Sequence, residues 1–278
     1  MKAKFLVATL GLLVFSTPAV PAFSAPLDLS LRGFYNPNRQ PDERIDDAAY
    51  GSLMSQIGLA LGNKMVGPGQ SLGALGVEAA YELSFAGTSY DAGDPDNVWK
   101  SAVASPTSTL TTGQLRVRKG LPYALQAGCV LTHIFDSNMW AIGAELNFSL
   151  IDGFVSVPDL ALRLNAHTMI GHQDISMLLA GADLVLSKTF GIGGVVSLQP
   201  WGAYSFTYQN VTTRQIEVYP NDTTLQPDLM LLKAVNNVAH RAAFGVRLVV
   251  TRVSIGGEFM RSFTDDLSVF TGKIGLDF

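Results

Sequence analysis

The stretch Ser268-Val-Phe-Thr-Gly-Lys-Ile-Gly-Leu-Asp-Phe278 decides the fold. Phe270, Gly272, Ile274, Leu276 and Phe278 fall on one set of alternate positions; Thr271, Lys273, Gly275 and Asp277 fall on the other. Successive strand side chains point to opposite faces, so such a strand has one oily and one polar side. The pattern recurs upstream. Leu160, Leu162, Leu164 and Ala166 alternate with Asp159, Arg163, Asn165 and His167. Trp140, Ile142, Ala144, Leu146 and Phe148 alternate with Gly143, Glu145, Asn147 and Ser149. Phe244, Val246 and Leu248 alternate with Arg241, Gly245 and Arg247.

Composition narrows what such strands can build. Of 278 residues 47% are apolar and 15% charged, too oily for a disordered chain. A single cysteine, Cys129, excludes a disulfide framework and a cysteine-rich metal site. A pI near 5.5 without a basic run argues against nucleic acid as a partner. At the start, Lys2 and Lys4 precede an apolar run from Phe5 to Phe15 and a tail of small residues to Ala25. This describes a secretory signal peptide over residues 1–24. The run is too short for a bilayer anchor, which needs about 20 apolar residues. Its removal leaves 17 Lys and Arg against 23 Asp and Glu. Nothing after residue 25 is long and apolar enough for a membrane helix.

A soluble sandwich also alternates, so three further features separate it from a membrane barrel. Aromatics on the apolar face sit near strand ends: Tyr81, Phe85, Trp140, Tyr204, Tyr208, Phe259 and Phe263. Membrane interfaces favour that placement. Glycines recur on the polar face, where chain must fit inside a closed ring. Finally, Phe270, Ile274, Leu276 and the terminal Phe278 form an ending that resembles the carboxy-terminal signal of Gram-negative outer-membrane β-barrels. The resemblance is to that superfamily and to no named family within it. It implies a bacterial outer-membrane location, outer-membrane lipid as surroundings, and the barrel assembly machinery as a partner that reads the last strand.

The expected fold is all-β, a transmembrane antiparallel up-and-down barrel of about ten strands with a short N-terminal helix. Strands are expected near 71–86, 109–118, 122–134, 139–150, 158–170, 174–187, 194–209, 238–250, 253–263 and 267–278. With the last strand running to the periplasm, the long stretches 87–108 and 210–237 both fall outside. Pro220, Asn221, Asp222 and Pro227 mark the second as a loop. The stretches Ser187–Gly193, Thr251-Arg252 and Lys119–Pro122 become short periplasmic turns. The barrel then occupies 70–278, preceded by an N-terminal segment over 25–69. In that segment Tyr50, Leu53, Met54, Ile57 and Leu61 recur at helical spacing across 46–65, capped by Asp46 or Asp47. An alternative makes 27–35 and 51–62 two further strands, giving twelve; the helical period fits better. The stripe needs an apolar partner, and Val130, Val185, Trp201 and Val249 face the lumen on the same parity.

Alternation also assigns Glu78, Glu82, Arg116, Arg118, Glu145, Arg163, His167, Asp183, Arg241, Arg247, Glu258, Lys273 and Asp277 to the lumen, with Asn165 among them. A charge facing lipid costs about 2–4 kcal/mol at the midplane. Balanced charges in a narrow barrel favour a structural ion-pair network over a selectivity ring, where one sign dominates. Chemistry is weakly signalled. His172-Gln-Asp174 with Ser176 could pair a histidine with a carboxylate at the barrel rim, but a polar turn accounts for the same residues. His133 and His240 lie near strand ends, and four scattered histidines give no metal spacing. Gly191-Ile-Gly193-Gly194 precedes a strand rather than a helix, so no dinucleotide site follows, and no cofactor is expected. The expectation is a non-enzymatic channel, transport or envelope protein, with a small solute as the cargo of any pore and a helix that could plug the lumen. An enzyme acting on lipid or peptide at the rim is the rival.

Overall fold

The computed structural model describes residues 25–36, 44–64, 67–154, 156–218 and 228–278. The stretch 1–24, read above as a signal peptide, and the loop residues Pro220, Asn221, Asp222 and Pro227 lie outside them. Thirteen strands are described: β1 (Val77–Gly87), β2 (Thr109–Leu121), β3 (Leu125–Ile134), β4 (Trp140–Ile151), β5 (Asp159–Ile170), β6 (Ile175–Ser187), β7 (Phe190–Ile192), β8 (Val196–Thr213), β9 (Ile216–Val218), β10 (Asp228–Met230), β11 (Val235–Val250), β12 (Val253–Ser262) and β13 (Ser268–Asp277).

Ten of these close a ring. Each barrel strand pairs antiparallel with its neighbours in chain order, and β8 pairs with β11 across the long loop. The first strand meets the last through a register running from Glu78 opposite Asp277 to Ala86 opposite Val269. Phe278 itself exchanges backbone hydrogen bonds with Val77 (2.8 and 2.9 Å). A closed ring has no unpaired edge, so the strands' backbone groups pair within the ladder, as a hydrocarbon environment demands, with one irregularity between Ser149 and Ile151. The twelve-strand alternative is excluded: Leu31–Phe34 is a 3-10 turn and Asp47–Leu61 is a helix, α1.

The ladder sorts side chains as the alternation does. Leu115, Val117, Ile142, Leu146, Leu184, Phe244, Ile274 and Leu276 are exposed on the outer face. Every aromatic read as interfacial (Tyr81, Phe85, Trp140, Tyr204, Tyr208, Phe259, Phe263) is exposed with them. Cys129 lies on this face as well.

Connections differ sharply between the two ends. At one end, short links such as 122–124 and 251–252 join the strands. At the other lie the long loops 88–108, carrying the helix α2 (Val98–Ala102), and 214–234, carrying the β9–β10 hairpin. Several boundaries differ from expectation: β2 and β8 run on to Leu121 and Thr213, β11 starts already at Val235, and three further differences have a local cause. β3 begins at Leu125 because Tyr123 and Ala124 take positive φ (62° and 56°) in the turn. The expected turn over 187–193 holds its own strand: β7 pairs with Val196–Leu198, so the reversal shrinks to Gly193, Gly194 and Val195, with the two glycines at φ 59° and 72°. Residues 71–76 are not strand but an entry segment, with Gly76 O accepting from Gly120 N (2.9 Å) at the short-turn end.

Candidate functional site: the occupied lumen

The lumen is filled by the chain's own N-terminal segment. Asp46 caps α1, its Oδ1 accepting from Ala49 N (2.9 Å), and Asp47 Oδ1 accepts from Lys233 N (2.9 Å) in the long loop. Every residue of α1 from Leu53 to Leu61 is buried, whichever way it points. A helix buried all round needs an enclosing core rather than a single docking face. That core comes from the half of the barrel nearest the long loops. Leu110, Ile134, Ala141, Met169, Ile175, Met177, Leu179, Val211, Met260 and Val269 pack in one cluster with Tyr50, Leu53, Met54, Ile57 and Leu61. Each large side chain so covered contributes roughly 1.5–3 kcal/mol.

The docking patch expected from parity is not the one used. Val185 and Trp201 form a separate small cluster with Ala161, and neither Val130 nor Val249 belongs to the α1 core. Near the long loops the inward positions are themselves apolar, and they supply the partner instead. The helix also ends early, at Leu61 rather than residue 65, because Gly62 turns extended (ψ 177°) and feeds Asn63 and Lys64 into the charged half.

There a guanidinium grips the segment. Arg116 donates through Nη2 to the carbonyl of Lys64 (2.6 Å) and through both terminal nitrogens to Asn63 Oδ1 (3.2 Å). Its remaining donors meet Glu82 at 2.9 and 3.1 Å, and Glu145. Glu145 also takes Arg118 Nε, and Arg118 reaches Glu78 at 3.5 Å. Glu78 pairs with Lys273 and lies 3.8 Å from Arg247, which clasps both oxygens of Asp277 (2.7 and 2.6 Å). Of the thirteen charged or histidine residues assigned to the lumen, the ladder thus joins Glu78, Glu82, Arg116, Arg118, Glu145, Arg247, Lys273 and Asp277 into one chain of ion pairs. Asp183 stands apart, accepting from Asn165 (3.1 Å) and Asn63 (3.4 Å); Glu258 accepts from Trp201 Nε1 (3.3 Å). Arg163, His167 and Arg241 are buried elsewhere on the wall. The His167 ring lies where a Cβ on Gly143 would stand, about 2.1 Å from that position, so only glycine leaves it room.

Below the grip the segment fastens to the short-turn end. Gly69 N donates to Ser187 Oγ (2.9 Å), Ser149 Oγ donates to Gly69 O (2.6 Å), and Gln126 donates to Gln70 O (3.0 Å). Ser71 N donates to Asp152 Oδ2 (3.0 Å), and burial pushes the Asp152 carboxyl up from its ordinary value. The Lys64 ammonium donates to the carbonyls of Ala60 and Gly62, and the Lys64 carbonyl makes the contact with Arg116. Gln56 binds Ser89 and Trp99 in the long loop. Sequence reasoning missed the apolar half of the lumen, although a signal existed: strand ends such as Met177-Leu178-Leu179 lose their alternation.

At the rim, His172, Asp174 and Ser176 line one small pocket with Thr212 and Arg214. His172 Nε2 donates to Leu29 O (3.3 Å), and its Nδ1 accepts from Asp174 N (3.2 Å). One ring nitrogen thus serves the backbone of its own turn and the other the backbone of the N-terminal segment. His133 stacks on Trp140 (4.0 Å between centroids), and His240 Nδ1 meets Tyr204 OH (2.9 Å).

No protein-family model matches the chain. No curated protein matches it either. Among solved structures, it is similar to Ail, the attachment invasion locus protein of Yersinia pestis, at 13% identity over 73% of this chain and 97% of that one, with a TM-score of 0.27. A second is the KdgM porin, at 6% identity over 73% and 99%, TM-score 0.32. A third is the outer-membrane protein Omp33 of Acinetobacter baumannii, at 8% identity over 75% and 100%, TM-score 0.29. Such distant likenesses carry no function. The chain's own features do fix the architecture. An even-numbered closed ladder, an outward apolar face and an inward polar one are those of outer-membrane β-barrels, and the resemblance stands at the level of that superfamily.

Proposed function

We propose that the chain is a non-enzymatic outer-membrane barrel whose lumen is closed at rest by its own N-terminal segment, a guarded envelope protein rather than an open diffusion pore. One observation carries this reading: α1 is enclosed by the apolar half of the lumen while Arg116 holds the carbonyl of Lys64 in the charged half. The ion pairs beneath it balance sign, which suits a structural network better than an ion-selective ring. Ten strands enclose a lumen little wider than the eight-strand barrels that side chains alone fill, so one helix suffices to occupy it. With the long loops taken as extracellular, their end is the outer mouth.

Planar bilayers test the reading. The full chain is expected to be silent or nearly so, and a form lacking residues 26–66 is expected to give stepwise conductance. Because that deletion also removes part of the outer cap, Ile57→Asp serves as a second variant. It places an unpaired carboxylate in the α1 core, where burial is costly, and should raise conductance with the barrel intact. Large steady currents from the full chain, unchanged in both variants, would overturn the closed-at-rest reading.

A further inference from the structure

We infer that the chain passes its own N-terminal segment through its barrel and holds residues 25–36 on the outer surface, an inference that rests on the outer-membrane reading with the long loops outside. The course of the segment carries it. At the long-loop end, Leu27 N donates to Asp136 O (2.9 Å), Asn138 donates to both oxygens of Asp28 (2.7 Å each), and Ser30 N donates to Ala102 O (2.7 Å). Leu29 O takes His172 as described, so three different loops at that end hold residues 27–30. Leu27, Leu29, Leu31 and Phe34 are buried in the same core as Trp99, Ala102 and Val103 of the 88–108 loop. Tyr35 then bridges Ile45, and Phe34 packs edge-on against Tyr50 (5.7 Å), turning the chain into α1.

From there the path is one-way. Gln209 Nε2 donates to Met54 O (2.6 Å), Asn63 and Lys64 meet Arg116 at mid-lumen, and Gly69 to Gly76 are tied to the short turns. Read from the N-terminal side, the chain therefore enters at the outer mouth and leaves at the inner one, where Val77 begins the wall. A protein delivered from the periplasmic side reaches that arrangement only if residues 25–36 have crossed the membrane plane inside the ring. The buried apolar residues then make that stretch a fixed part of the surface cap rather than a loose tail.

Cysteine labelling on intact cells tests this. Cys129→Ala provides a background without thiols, and Ser30→Cys, Asp96→Cys and Leu75→Cys each place one at an exposed position: in the cap, in the 88–108 loop and at the short-turn end. A membrane-impermeant maleimide should label Ser30→Cys on intact cells as fully as Asp96→Cys, and label Leu75→Cys only after the outer membrane is opened. Retained heat-modifiable migration checks folding, with Pro26→Cys as the second cap position should Ser30→Cys fail it. Labelling of Asp96→Cys on intact cells with both cap positions silent would overturn the threading and leave the barrel reading standing. Labelling of Leu75→Cys on intact cells, with Asp96→Cys silent, would overturn the orientation and the inference together.

Discussion

Arg116 is the residue on which both halves of the lumen depend. Its side chain is fully buried and is shared among two carboxylates, an amide oxygen and a backbone carbonyl. Arg116→Met keeps the bulk but leaves Glu82 and Glu145 short of a counter-charge, at a cost of about 3–5 kcal/mol. The midpoint of unfolding in urea should fall accordingly, and adding Glu82→Gln should recover part of the loss. A change near the ~0–1 kcal/mol of an exposed ion pair would mean that water reaches the site. The identity of this residue as a lumen charge was legible from parity alone, since Arg116 and Arg118 alternate with Leu115 and Val117. That it would hold the carbonyl of Lys64 was not, because alternation gives a residue's face and says nothing of which distant segment will come to lie against it.

At the scale of elements, the last strand has the clearest expected behaviour. Phe278 completes two backbone hydrogen bonds with Val77, and its ring stands on the lipid side. Deleting Phe278 should lower the amount of heat-modifiable barrel in the outer membrane, because the strand that closes the ring loses its final pairing. Wild-type levels of that truncation would show that the ending plays no part in assembly. Strands were the most legible elements: a two-residue period with few interruptions marks each of the ten, and errors fell at turns whose residues take positive φ or pair locally, as at Tyr123 and Phe190–Ile192. The helix was legible from its stripe and its Asp46 cap. Its surroundings were not, because the inward residues Met177, Leu179, Met169 and Met260 sit where both faces of the strands are apolar and the period fades.

The whole molecule is a ring without an edge, and that predicts how it comes apart. Unheated samples in detergent should migrate differently from boiled ones, since unravelling cannot begin at a free strand; identical migration, or a mature protein soluble without detergent, would end the membrane reading. The 214–234 loop should be cut by protease on intact cells, and cutting only after lysis would invert the barrel. The threaded course of the segment has a mechanical corollary. At its inner end the chain is joined to the wall at Val77, after contacts of Gly69 with Ser187 and of Gly76 with Gly120. Tension applied there would load the barrel, not the segment. Tension applied at residues 25–36 would first load the loop contacts of Leu27, Asp28 and Ser30, and only when these part would it reach the Arg116 contact. If the cap lies outside as inferred, a pull on it would have to release those loop contacts before it could empty the lumen.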